Sequence, residues 1–249
     1  MTEQLPLFYK SPVPIEAERH KDWGIKKQFG FSFASNANAV PLNMVEMAEA
    51  CHVYPIAFSS DAIATPVAIL GLRDHENLFV NAKGEWVPDL YVPAYVRRYP
   101  FIFSEMQGND QLTLCVDNVD LAIDTNCKQA DQKFFTTDGK ASPVSKNALE
   151  FCKSYHVAAK QTMEFSKAML DNDLLVVRQA EINTPMGEKI NFAGFKVIDH
   201  EKLNAISPEV FLEWREKGWL PFIYAHLFSA AQWQRLIKLY SDRVKQNAA

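Results

Sequence analysis

The amino-acid sequence predicts an α+β fold with a mixed, mainly antiparallel sheet, a long central helix and a helical C-terminus. Three observations carry this prediction. Short apolar runs bounded by turn residues dominate residues 28–103, an uninterrupted helical repeat follows from residue 144, and residues 220–245 are again helical. Because 249 residues are ample for one hydrophobic core, we expect a single domain over residues 1–249.

Composition and charge exclude several classes of protein. The apolar fraction is 48% and the charged fraction 22%, which excludes a wholly disordered chain, a collagen-like chain and a disulfide scaffold. The net charge of −4 supplies no basic field, so we expect no nucleic-acid partner.

The N-terminal residues 1–27 are predicted to form an extended, Pro-rich arm. Pro6, Pro12 and Pro14 each remove a backbone donor and fix φ, so the first half of this segment cannot hold a helix.

The start of the chain and its cysteines suggest a compartment. Glu3 precedes a short apolar run that Pro6 breaks, so we expect no signal peptide. The longest apolar stretch, residues 219–234, is too short for a membrane span and fits a core helix. The four cysteines are far apart and are expected to be reduced thiols. We therefore expect a cytoplasmic protein, for which association with the cell surface would require an unconventional route.

Strand signals occupy the first half of the chain. Phe29, Phe31 and Phe33 alternate as in a half-buried strand, and residues 66–72 form an apolar run that suits a central strand. Residues 78–87 are typical of a hairpin that turns through Gly84.

One short helix is expected among these strands. Asn43, with Glu46 three residues later, resembles a capping box and favours a helix over residues 44–52.

The second half alternates between the two patterns. A strand at 112–116 and a polar loop at 125–143 precede a helix that Ser142 and Pro143 begin. Residues 174–182 and 189–198 predict paired strands joined through residues 184–187.

The predicted C-terminal region is helical. Ser207 begins a short helix that Gly218 ends, and a further helix over residues 220–245 is broken near 229–232.

No complete catalytic motif is present. Phosphate-binding glycine loops and the nucleophile elbow G-x-S-x-G are both missing from the sequence. We can assign no catalytic residue and expect a non-catalytic protein, with an enzyme that acts on peptides as the alternative.

Two sequence patterns resemble metal sites, but one lies in the Pro-rich arm and the other lacks the spacing that a metal site requires. His20 and Asp22 spell H-x-D, which His200 or His226 would have to complete, but His20 lies in the Pro-rich arm. The acidic stretch 117–124 has no glycine at the position that a calcium loop requires. We predict no metal site and no cofactor.

Two clusters, at residues 71–77 and 86–101, supply the candidate ligand-binding residues. Arginine, tyrosine and tryptophan dominate binding hot spots, and functional polar groups often follow a central strand. The structural alternative is that an arginine stacks on core aromatic rings. The candidates are Arg73, Asp74, Trp86, Tyr95, Arg97 and Arg98.

Sequence blocks along nearly the whole chain resemble the bacterial SapC family. The most specific is Pro-Ala-Tyr-Val-Arg-Arg-Tyr-Pro-Phe, and the blocks are Pro6–Lys10, Phe31–Ala34, Tyr54–Phe58, Val67–Arg73, Asn77–Val80, Tyr91–Phe101, Gly194–Asp199 and Ile223–Leu236. The family is named for a gene associated with a bacterial surface layer, and the resemblance brings no catalytic residue to this chain.

The resemblance implies a binding or accessory protein in a surface-protein or peptide-modification pathway. The alternatives are the peptide-directed enzyme and a structural surface-layer component. We expect a protein or peptide partner and no membrane span, and the sequence does not define the oligomeric state. We also expect Arg73 and Asp74 to border the main pocket and to favour an anionic or peptide-carboxylate group.

Overall fold

A computed structural model describes residues 5–27, 29–105, 112–184 and 187–248. The chain divides into two compact units, the first formed by residues 1–33 and 96–156 and the second by residues 34–95 and 157–249. The single domain over residues 1–249 stays a prediction.

The strands and helices are interspersed along the chain, and the longest described element is a helix of 29 residues. The strands are β1 (Pro12–Pro14), β2 (Gly24–Ile25), β3 (Ala39–Pro41), β4 (Ile56–Ser59), β5 (Pro66–Ile69), β6 (Phe101–Glu105), β7 (Leu112–Asp117), β8 (Ile123–Asp124), β9 (Leu175–Asn183) and β10 (Lys189–Ile198). The α-helices are α1 (Ala17–His20), α2 (Met47–Ala50), α3 (Ala94–Arg98), α4 (Pro143–Asp171), α5 (His200–Asn204), α6 (Pro208–Glu216), α7 (Leu220–Ser229) and α8 (Gln232–Ala248). Two 3-10 turns cover Ser32–Ala34 and Met44–Glu46.

The first unit contains an antiparallel sheet of order β1-β7-β6 and a β2-β8 pair. Asp117, at the end of β7, is fully buried. Its carboxylate accepts from the Tyr99 hydroxyl at 2.9 Å and from the backbone N–H groups of Lys10 and Ser11 at 2.9 and 2.6 Å. The N-terminal segment is thereby fixed beside β7, and β1 pairs with that strand.

The prediction of a strand at residues 29–33 is wrong. Gly30 has φ of 61°, and the chain forms the 3-10 turn at Ser32–Ala34 instead. The ring of Phe33 stacks on Tyr99 with centroids 4.1 Å apart and meets Phe8 at 5.2 Å. The alternating phenylalanines therefore serve an aromatic cluster rather than a pleated strand.

The second unit is built on an antiparallel sheet of order β3-β5-β4-β10-β9. Helix α7 contacts β4 and β10. Phe58 of β4 is fully buried and packs against Phe165 and His226, with centroids 6.4 and 5.2 Å apart. Trp219 extends this core, 5.8 Å from Phe165.

The α+β fold class is confirmed, together with the long helix and the helical C-terminus. Helix α4 begins at Pro143, and Ser207 caps α6 by accepting from the Val210 N–H. Gly218 follows α6 with φ of 69°, and residues 230–231 separate α7 from α8.

The expected helix over residues 44–52 is also present. The capping box at Asn43 and Glu46 opens the 3-10 turn that leads into α2.

The hairpin expected at residues 78–87 forms only one bridge, between Val80 and Trp86, around the Gly84 turn. The Val87 N–H donates to the Phe79 carbonyl oxygen at 2.8 Å, but the Phe79 N–H donates to Asn77 Oδ1 at 2.9 Å and so returns no bond to Val87.

Strands β9 and β10 pair along most of their length, as predicted. The register shifts between Phe192 and Phe195, where Gly194 has φ of 84°. In the expected turn at 184–187, residues 185 and 186 lie outside the described residues. Across the described parts of the chain, no helix combines the length and apolarity needed to cross a membrane.

His226 predicts a specific loss of stability in acid. Burial lowers the pKa of this ring to about 4, and its Nε2 accepts from the Ile198 N–H at 3.1 Å. Between pH 6.5 and 4 the unfolded chain therefore binds a proton at this ring that the folded chain does not bind. As the pH is lowered through this range, the free energy of unfolding decreases by up to about 1.4 kcal/mol per pH unit.

Chemical unfolding at several pH values tests this contribution. His226→Gln is expected to flatten the slope between pH 6.5 and 4, while His52→Gln, at an exposed position, leaves it unchanged. Equal slopes for all three proteins would contradict the assignment.

Candidate functional site

A cleft of about 620 Å³ lies on one face of the sheet in the second unit. Its floor is apolar and comes from Ala39 of β3 and from Val67 and Ile69 of β5. Ala39 and Ile69 are direct partners across the two strands, and Val67 lies two residues from Ile69, so all three share a face. Residues 190–195 of β10 form one wall. The arrangement is an apolar trough beside a strand.

The wall is the free edge of a strand. β10 pairs with β4 only at Phe195 and Lys196, whereas it pairs with β9 from Lys189 onward. Among the described residues, no strand pairs with residues 189–194 on the side away from β9. Alternate backbone N–H and C=O groups of a strand point to each side, so this edge offers main-chain donors and acceptors.

Aromatic packing supports the wall. Phe192 and Phe195 lie 5.2 Å from each other, and Trp233 of α8 lies 5.2 and 6.0 Å from them. These rings hold the bulged part of β10 in place.

A tight turn after β5 positions Arg73 and Asp74 on the rim. A Cβ atom at Gly71 would lie 2.1 Å from the carbonyl oxygen of Glu76, so only glycine fits this turn without a shift. Asn38 holds the turn on its other side. Its carbonyl oxygen accepts from the N–H groups of residues 70 and 71 at 2.7 and 3.1 Å, and its side chain donates to Asp74 Oδ1 at 3.1 Å.

The guanidinium of Arg73 is held from two sides. Its Nη2 forms an ion pair with Glu188 Oε1, and its Cζ lies 5.4 Å from the centre of the Tyr240 ring. The Tyr240 hydroxyl donates to Glu188 Oε2 at 2.6 Å. About half of the Arg73 side chain (51%) remains exposed, which leaves donors available to a ligand.

Hydrogen bonding fixes the charge states of this trio. The Tyr240 hydrogen bond, aided by the Arg73 charge, holds the pKa of Glu188 below its usual range. Burial and the bond to Glu188 raise the pKa of Tyr240 to about 12. Glu188 is therefore an anion and Tyr240 a neutral donor at neutral pH.

The other end of the cleft is formed by the turn after β4. Burial opposes ionisation of Asp61, but bonds from the N–H groups of Ala64 and Ile63 and from Ser59 outweigh it and lower its pKa. Lys196 donates to the Asp61 carbonyl oxygen at 2.9 Å. Asp61 is thus a carboxylate engaged mainly in holding its own turn.

Two of the six sequence-predicted site residues line the cleft, namely Arg73 and Asp74. Trp86 and Tyr95 are buried in the second unit, where Trp86 stacks on Phe79 with centroids 6.2 Å apart. Neither is among the described residues that line the cleft.

Arg97 and Arg98 belong to the first unit. The Arg98 guanidinium lies 4.4 Å from the centre of the Tyr155 ring and 5.6 Å from that of Tyr9. Arg97 is exposed and lies 5.4 Å from the Phe151 ring. As ligand-binding residues, all six candidates stay predictions.

Asn38, Glu188, Tyr240 and the edge of β10 were not singled out from the sequence. Glu188 lies 115 residues from Arg73, and only the fold brings the two together. No local pattern marks such a pair.

The residues of the H-x-D pattern are paired within the first unit. His20 Nδ1 accepts from the Glu16 N–H at 3.0 Å, and Asp22 forms an ion pair with Lys133. Within the described ranges, no group of three or more His, Cys, Asp or Glu side chains is placed to hold a metal ion.

Comparison with known families decides the membership of the chain. The model of the SapC family matches residues 15–236, which include most of both units. The chain belongs to the SapC family. The resemblance seen in the sequence blocks is thus confirmed. No curated protein and no solved structure gives a significant match to this SapC chain.

The two arginines of the first unit predict different effects on stability. Arg98 is half-buried against aromatic rings, so Arg98→Ala is expected to cost about 1–2 kcal/mol of unfolding free energy. Arg97 is exposed, so Arg97→Ala is expected to cost about 0.5 kcal/mol or less. Thermal melts of the two variants measure the difference, and a larger loss for Arg97→Ala would contradict it.

Proposed function

We propose that this SapC-family protein binds a peptide in the cleft of the second unit, with the peptide carboxylate held by Arg73. The observation that carries the proposal is the combination of an apolar floor, a free strand edge and one guanidinium in a single cavity. Each of the three recognises a different part of a peptide.

The free edge of β10 recognises the peptide main chain. An extended peptide that lies along residues 190–194 adds a strand to the sheet and receives backbone hydrogen bonds. The floor formed by Val67 and Ile69 then meets every second side chain of the peptide, because successive side chains of a strand alternate between faces. This favours apolar side chains at those positions.

Arg73 supplies the charged contact. A guanidinium presents several N–H groups in one plane and binds a carboxylate through two parallel hydrogen bonds. Glu188 engages Nη2, and the Tyr240 ring lies 5.4 Å from Cζ on another side of the group. Asp74, held by Asn38, adds an acceptor for an N–H group of the ligand.

The cleft supports binding better than catalysis on peptides. The described lining residues include serine and aspartate but neither cysteine nor histidine, and Ser59 Oγ accepts from the Thr65 N–H at 2.9 Å. A serine hydrolase needs a base with a pKa near the working pH beside its nucleophile, and the carboxylate that Ser59 contacts, that of Asp61, has a lowered pKa.

The cellular setting is proposed on other grounds. We infer a cytoplasmic accessory role in a surface-protein or peptide-modification pathway, in line with the family resemblance. The four cysteines are free, buried thiols, which fits a reducing compartment.

Titration calorimetry with two peptides tests the proposed function. The probes are acetyl-Ala-Ala-Phe with a free C-terminal carboxylate and the same peptide as its C-terminal amide. The free acid is expected to bind more tightly. Arg73→Gln should weaken the acid about tenfold or more and leave the amide nearly unchanged, because a hydrogen bond to a charged group contributes about 1.5–3 kcal/mol.

Two further variants complete this experiment. Arg178→Gln is the matched control, because Arg178 is an exposed, ion-paired arginine of β9 that does not line the cleft. Val67→Phe fills the floor and is expected to weaken both peptides. Equal binding by the wild type and Val67→Phe would show that the peptides bind elsewhere.

A further inference from the structure

Glu188 contacts the same guanidinium that the proposed function assigns to the ligand. It immediately precedes β10, and its side chain is 40% exposed. Arg73 lines the cleft, whereas Glu188 is not among its described lining residues. A side chain of the protein thus approaches Arg73 from outside the cavity.

We propose that Glu188 is an internal competitor that a ligand carboxylate displaces from Arg73. The proposal rests on the proposed function and adds a regulatory element to the same site. A carboxylate on the guanidinium is the chemistry that the ligand is expected to offer, so Glu188 and the ligand compete for the same positive charge.

Breaking the Arg73–Glu188 ion pair costs little free energy because the pair is exposed. Both side chains are about half in water, and exposed ion pairs contribute little net free energy. A ligand that also gains contacts with the floor and the β10 edge therefore prevails over Glu188. A ligand with a neutral end leaves the pair intact.

Tyr240 keeps Arg73 in position during the exchange. Its ring is buried and lies under the guanidinium, so the cation–π contact survives when Glu188 leaves. The local turn also remains, because the Thr184 N–H donates to the Glu188 carbonyl oxygen at 2.8 Å. Only the side chain of Glu188 needs to move.

The variant Glu188→Gln tests the competition. The amide retains an acceptor for Tyr240 but loses the charge that binds Arg73. Its affinity for acetyl-Ala-Ala-Phe as the free acid is expected to rise about two- to fivefold. The affinity for the C-terminal amide should stay the same. Glu181→Gln, which removes an exposed ion pair with Lys189 in the same hairpin, is the matched control.

The outcomes separate this inference from the proposed function. If Glu188→Gln binds the free acid equally or more weakly than the wild type does, Glu188 positions Arg73 rather than competing for it. That result overturns the inference while carboxylate-dependent binding in the cleft still stands. If neither peptide binds to the wild type or to Glu188→Gln, both the proposed function and the inference are overturned.

Discussion

Strand β10 meets β4 through only Phe195 and Lys196, and the cleft of the second unit depends on this short pairing. The register of β10 against β9 shifts between Phe192 and Phe195, with Gly194 at positive φ, next to the point where the pairing with β4 stops. Among the described residues, the remaining length of β10 has β9 as its strand partner, which leaves one edge open beside the apolar floor. A longer pairing with β4 would occupy the main-chain groups that the cleft presents.

Local patterns predicted the elements whose stability is local. Helix α4 follows a 3.6-residue repeat, and α6 carries its own cap at Ser207, so their ends are close to those expected. The strand expected at 29–33 failed because Phe33 packs on Tyr99, far away in the sequence. The hairpin at 78–87 was reduced to one bridge because the Phe79 N–H bonds to the Asn77 side chain instead of extending the ladder. The first error comes from a partner that no short window contains, and the second from a polar side chain that the apolar pattern does not take into account.

The same division applies to the candidate site. Arg73 and Asp74 were predictable because they follow a central strand, where a sheet turns its polar residues outward. Residue type alone singled out Trp86, and in the fold its ring is buried against Phe79. Tyr240 and the other partners of Arg73 come from distant segments, and neither spacing nor composition connects them. The sequence therefore predicts the position of Arg73 after a strand, but not which side chains surround it in the fold.

The Gly71 turn affects how mutagenesis data on this protein should be interpreted. Gly71 is not among the described residues that line the cleft, yet a methyl group there would collide with the carbonyl oxygen of Glu76. Any side chain at this position moves the loop that presents Arg73 and Asp74. In a saturation mutagenesis screen scored on ligand recognition, Gly71 would rank with the residues that touch the ligand, although it acts only by leaving space for its neighbour.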